Sequence, residues 1–135
     1  MRINKRTFFH AFICVIPFGV LFILTKLFFQ EAYLLEWMMR HRYLGLWAIS
    51  VILVLFNPKW GYVISLSNFI SVVIGQVVGD YIRKQNISKI VPEMTNEQIA
   101  HLYLNPGFSI WIMLFFSFVI IYAAICAYRK RKKLL

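Results

Sequence analysis

Five acidic side chains serve the whole chain, and one of them, Asp80, is attached to the core of an apolar run. An ionisable group at membrane depth is a candidate for ion coupling or for holding a cationic substrate. Asn68 and Gln76 precede it on the same run, so Asn68, Gln76 and Asp80 form a candidate polar path. Asp80 also has Arg83 and Lys84 at i+3 and i+4, the spacing of a helix ion pair, and that pairing is the expected role. A second constellation is basic. Arg40 and Arg42 fall opposite Arg83 and Lys84 at one interface, where they can bind lipid phosphates or an anionic solute, or simply snorkel to the headgroups. Glu36 and Arg40 are a further i, i+4 pair.

Other residue types lead nowhere catalytic. His10 and His101 have no second ligand at metal-binding spacing, and convergence of Asp80, Glu93, Glu97 and His101 cannot be read from sequence. Cys14 and Cys126 sit inside apolar stretches, where thiols behave as small hydrophobes. No catalytic residue, metal or cofactor is assigned.

The elements that carry these residues show themselves through a column of small side chains. Ser67, Ser71, Gly75 and Gly79 recur at every fourth position of the run from Tyr62 to Gly79. Such a stripe lets another helix approach closely, and Gly75–Gly79 fits the glycine-x-x-x-glycine pattern. On a helical wheel Asn68, Gln76 and Asp80 flank the column, while Val63, Leu66, Ile70, Val73 and Val77 form the opposite, lipid-facing arc.

The composition is 61% hydrophobic and only 15% charged, far from the balance of a soluble domain. The expected fold is therefore an all-α integral membrane protein, a single domain with four transmembrane helices and a short outer interfacial helix. The spans are placed at about 7–29, 38–56, 61–82 and 108–128. Pro17 suggests a bend in the first. The second is the weakest, because its uninterrupted stretch from Tyr43 to Phe56 is about 14 residues, or roughly 21 Å of helix. Extending it back through Trp37–Met39 restores the length. Asn57-Pro58 then ends it, and Lys59-Trp60-Gly61 makes a tight connection to the third span.

The net charge of +10 clusters at span ends, which points to membrane lipids as partners and away from nucleic acid. Arg2, Lys5, Arg6, Lys59 and the basic run 129–133 share one face, which places both termini in the cytoplasm of a cell-membrane protein. The loop 83–107 then faces outward. In it Thr95-Asn96-Glu97-Gln98 reads as a capping box opening a helix from about Asn96 to Leu104.

Chain size and span number are similar to those of the small multidrug-resistance antiporters, but those depend on a membrane-embedded glutamate in the first span, and Thr7–Phe29 holds no acidic residue. The pore motifs of small dual-topology fluoride channels are missing as well. The expected function is that of a non-enzymatic subunit or accessory protein, with a protein partner or second copy packed on span three. An oligomeric transporter or channel, and a lipid-headgroup protein, are the alternatives.

Overall fold

The computed structural model describes residues 5–27, 33–40 and 44–132. All regular structure in them is helical: α1 (Lys5–Leu27), α2 (Tyr33–Arg40), α3 (Leu44–Phe56), α4 (Pro58–Ile87), α5 (Asn96–Leu102) and α6 (Gly107–Lys132). Among the described residues α1, α4 and the helix ending at Lys132 are long and apolar enough to cross a membrane. α1 runs unbroken through Pro17.

The second expected span differs. Two described helices, of 8 and 13 residues, fall on it, either side of residues 41–43. α3 is about 20 Å long at ~1.5 Å per residue, short of the ~30 Å hydrocarbon core. Residues 41–43, with Arg42, lie outside the described residues. α2 is amphipathic. Leu34 and Met38 are buried one turn apart, while Glu36 and Arg40 pair on the exposed side.

The connection to α4 is also tighter than expected, because Lys59-Trp60-Gly61 belongs to the helix itself. Asn57 alone separates α3 from α4, in an extended conformation (φ −155°, ψ 107°) with its side chain accepting from the Lys59 N–H at 3.1 Å. That is an N-cap, and Pro58 takes the first helical position, where its missing N–H leaves no bond unmade. At the other end α4 continues past the expected limit of 82. Arg83, Lys84 and Gln85 are good helix formers, and a basic residue in the last turn suits the helix dipole. The helix closes at Ser88, whose N–H reaches the Lys84 carbonyl at 3.1 Å and whose hydroxyl donates to the Gln85 carbonyl at 2.8 Å.

α4 is the hub. It packs on α1, α2, α3, α5 and α6, whereas α6 approaches only α4 and α2 among the described elements. Contact registers give the directions. His10 hydrogen-bonds Tyr62, and Ser65 donates to the Cys14 carbonyl at 2.6 Å, so positions rise together and α1 and α4 are parallel. Asn68 meets Trp111, Trp60 meets Tyr122 and Gly79 meets Gly107, so α6 is antiparallel to α4. Gly61 meets Ser50 and Val54 of α3, so α3 is antiparallel too. The core, Leu21, Leu34, Met38, Ile64, Val72, Trp111 and Phe115, lies around α4.

α5 opens with the anticipated capping box. Thr95 Oγ1 accepts from the Gln98 N–H at 3.3 Å, and the Gln98 side chain accepts from the Thr95 N–H at 3.0 Å. It ends at Leu102 rather than Leu104.

Candidate functional site

The small-residue column of α4 is a seat for the first turn of α6. Ser67, Ser71, Gly75 and Gly79 are all buried. A Cβ added at Gly75 would stand 2.8 Å from the Gly107 carbonyl oxygen and 3.0 Å from Trp111 Cβ. One added at Gly79 would stand 2.5 Å from Asn105 Oδ1 and 2.6 Å from Gly107 Cα. Neither separation is a tolerable contact, so hydrogen at both positions is what allows the two backbones to meet. Gly107 answers in kind, with the Gly75 oxygen 2.8 Å from where its own Cβ would be.

Polar groups lock this crossing. The Gln76 carbonyl oxygen accepts the backbone N–H of Leu34 at 2.8 Å, and its amide nitrogen donates to Asp80 Oδ2 at 2.5 Å. Asn105 mirrors it, accepting the Gly107 N–H at 2.9 Å and donating to Asp80 Oδ1 at 2.9 Å. Because a backbone N–H can only donate, each amide is oriented with its NH₂ toward Asp80, and Asp80 accepts at both oxygens, as a carboxylate does. Gln76, Asp80 and Asn105 together join α2, α4 and the turn that enters α6. Lower on α4, Asn68 Oδ1 accepts from Trp111 Nε1 at 3.0 Å. Asn68 Nδ2 and Ser71 Oγ are buried without a partner among the described residues.

The expected ion pair of Asp80 with Arg83 or Lys84 is not formed. Two neutral amides already satisfy the carboxylate at the α6 seat, without the cost of desolvating a cation. Lys84 is exposed, and Arg83 is half-buried with its Nε enclosed and unpartnered. Glu36 and Arg40 do pair, with the Arg40 side chain 74% exposed, a setting in which such pairs contribute little. Among the described residues no three metal-ligating side chains gather, so Asp80, Glu93, Glu97 and His101 do not converge. Asn68, Gln76 and Asp80 therefore lie on one helix but serve two separate junctions.

Three participants escape sequence reading. Trp111 reads as an interfacial aromatic, yet it is buried beneath Trp37 and Phe108, with ring centroids 6.2 and 5.6 Å away. Asn105 and Gly107 read as a helix stop. The available signal was Asn two residues before Gly, a side chain able to accept the i+2 N–H. On the opposite side Gly61 admits Val54 and Ser50, and a Cβ there would lie 3.0 Å from the Ser50 carbonyl oxygen.

Two depressions flank the crossing. One of about 650 Å³ lies at the Asp80 end, between Trp37, Ile82, Asn86, His101, Phe108 and Ser109. The other, about 320 Å³ and almost wholly apolar, separates α4 from α6 lower down, beside Leu66, Ser67, Ile70, Ile121 and Ile125. No protein-family model, curated protein or solved structure matches the chain.

Proposed function

We propose that this chain is a small, non-enzymatic subunit of a complex in the cell membrane, crossing it four times with both termini in the cytoplasm. The topology is supported by direction. α1 and α4 are parallel, which supports a return crossing between them, carried in this reading by α2 with α3. Basic residues at both chain ends and at Lys59 supply the cytoplasmic bias.

The observation that carries the functional reading is how the polar groups inside the spans are used. Asp80, Gln76 and Asn68 accept from or donate to groups of the same chain at each junction, and in doing so they fasten helices rather than present chemistry. At the same time α6 is packed along one side, leaving Met113, Phe116, Ile120 and Ile121 more than half exposed. The glycine column is covered by the chain's own α6, so a partner helix uses the lower stretch of α4, in the apolar groove beside Ser67.

Native mass spectrometry from mild detergent tests this. A stoichiometric complex is expected, and Ile70→Trp together with Ile121→Trp, both at exposed positions, should abolish it while leaving a folded monomer. A partner-free chain from every mild extraction would overturn the subunit reading. The rival, a transporter with Asp80 in its path, requires that Asp80→Asn stop flux and leave assembly intact.

A further inference from the structure

The depression at the Asp80 end has a wall unlike the rest of the molecule. Other polar side chains at this end are engaged: Gln76 and Asn105 on Asp80, Thr95 and Gln98 each on the other's backbone N–H. The side chains of Asn86, His101 and Ser109, in contrast, carry no hydrogen bond to any described residue, and all three line the same pocket. They come from three elements, the last turn of α4, α5 and the first turn of α6. Asn105, at the rim, keeps one amide hydrogen beyond the one it gives to Asp80. The apolar part of the wall is Ile82, Leu104 and Pro106 with two rings, Trp37 and Phe108, which meet edge to face with centroids 4.8 Å apart. The lining thus sets polar side chains beside a ring surface, within a volume of about 650 Å³, in the usual range for small-molecule sites.

Depth narrows what can reach it. α4 has 30 residues, about 45 Å at ~1.5 Å per residue, against ~30 Å of hydrocarbon. With Pro58 at one interface, as the four-crossing reading has it, its last turns, with Ile82 and Asn86, stand at headgroup level, and the pocket opens there.

We propose that this pocket binds an uncharged, hydroxyl-rich ring of one or two sugars, seated against Trp37 and Phe108 and hydrogen-bonded by Asn86, His101 and Ser109. A sugar ring offers an apolar C–H face to an aromatic side chain and alternating donors and acceptors around its edge. Four polar side chains, with no carboxylate, ammonium or guanidinium among them, match that edge, whereas a phosphate or ammonium group would call for a countercharge in the wall. The ring can arrive as the headgroup of a glycolipid or as a free sugar. The inference stands apart from the subunit reading, since it uses the outer end and not the groove.

The test uses the full chain in nanodiscs of phosphatidylglycerol containing a minority of monoglucosyl diacylglycerol, prepared in a detergent without a sugar headgroup. Native mass spectrometry should find the glycolipid retained well above its share of the bilayer. Asn86→Ala and His101→Ala should each reduce that retention about tenfold, the effect of losing one well-placed hydrogen bond. His101 is exposed, so its variant remains informative if Asn86→Ala fails to fold. Methyl glucoside titrated into glycolipid-free nanodiscs, read by indole emission, separates the sources: a response lost in His101→Ala assigns the site to the free ring, and silence with glycolipid retained assigns it to the anchored one. The proposal is overturned if neither probe binds, if retention is indifferent to both alanine variants, or if the lipid held is phosphatidylglycerol and is released by Arg83→Ala.

Discussion

At the scale of single residues, the α4–α6 junction is held by hydrogen atoms where side chains would be. Gly79→Ala places a methyl group 2.6 Å from Gly107 Cα and 2.7 Å from its nitrogen, and backbone cannot yield as a flexible side chain can. A loss of about 1–3 kcal/mol is expected from this overpacking, read as a lower unfolding temperature in detergent. Gly19→Ala is the control. Nothing lies within 4 Å of its Cβ position, and replacing a mid-helix glycine by alanine should be neutral or stabilising by roughly 0.5–1 kcal/mol. Asp80→Asn is nearly isosteric but turns an acceptor into a donor. Gln76 and Asn105 are both oriented to donate, so at least one N–H is left facing another, at a cost of about 1–3 kcal/mol. Thermal unfolding measures it, and Asp80→Ala, which also strips both amides of their acceptor, should be at least as severe. The glycine column was legible at this scale because its spacing is periodic. Gly107 was not, because a small residue in a turn has no period to betray what it faces. Asp80 shows the same limit: its i+3 and i+4 cations were visible in sequence, but Asn105, distant along the chain, was what reached it.

At the scale of elements, boundaries follow from local chemistry, and most could be read. Hydropathy located α1, α4 and α6, and the Thr95 box located the start of α5. α2 and α3 fall on the second expected span, and residues 41–43 between them lie outside the described residues. What distinguishes α2 is the buried pair Leu34 and Met38 opposite Glu36 and Arg40, an eight-residue pattern too short to stand out against its neighbours. The α3–α4 corner was misread for a physical reason: proline ends a helix when it follows one, but begins one when a capping side chain precedes it. Asn57→Ala removes that cap and should cost about 0.5–2 kcal/mol. Asn57→Asp, which keeps an accepting oxygen, should restore most of it, and comparing the two unfolding temperatures separates capping from mere loss of size.

At the scale of the molecule, the parallel α1 and α4 and the antiparallel α6 fit an even number of crossings. In a Cys14→Ala, Cys126→Ala background, a membrane-impermeant maleimide added to intact cells should label Glu97→Cys and leave Lys5→Cys and Lys130→Cys unmodified until the membrane is opened. Labelling at either terminus from outside would reverse the orientation. How the helices stack around α4 could not be foreseen from periodicity, since the buried arc of α4 is wide enough to take neighbours on both flanks, and which neighbour takes which flank is a tertiary outcome.

That α4 touches every other element has a consequence for how the chain is made. α1 and α3 leave the ribosome before the helix they both lean on, and α6 follows it. Until it arrives, Gly75 and Gly79 face lipid, Asn68 has no indole to accept from, and Asp80 lacks its Asn105 donor. Between the emergence of α4 and the docking of α6 the nascent protein therefore carries an open polar seam. A chain stopped between the two helices keeps that surface unsealed, so the docking of α6 is the step that closes this face of α4.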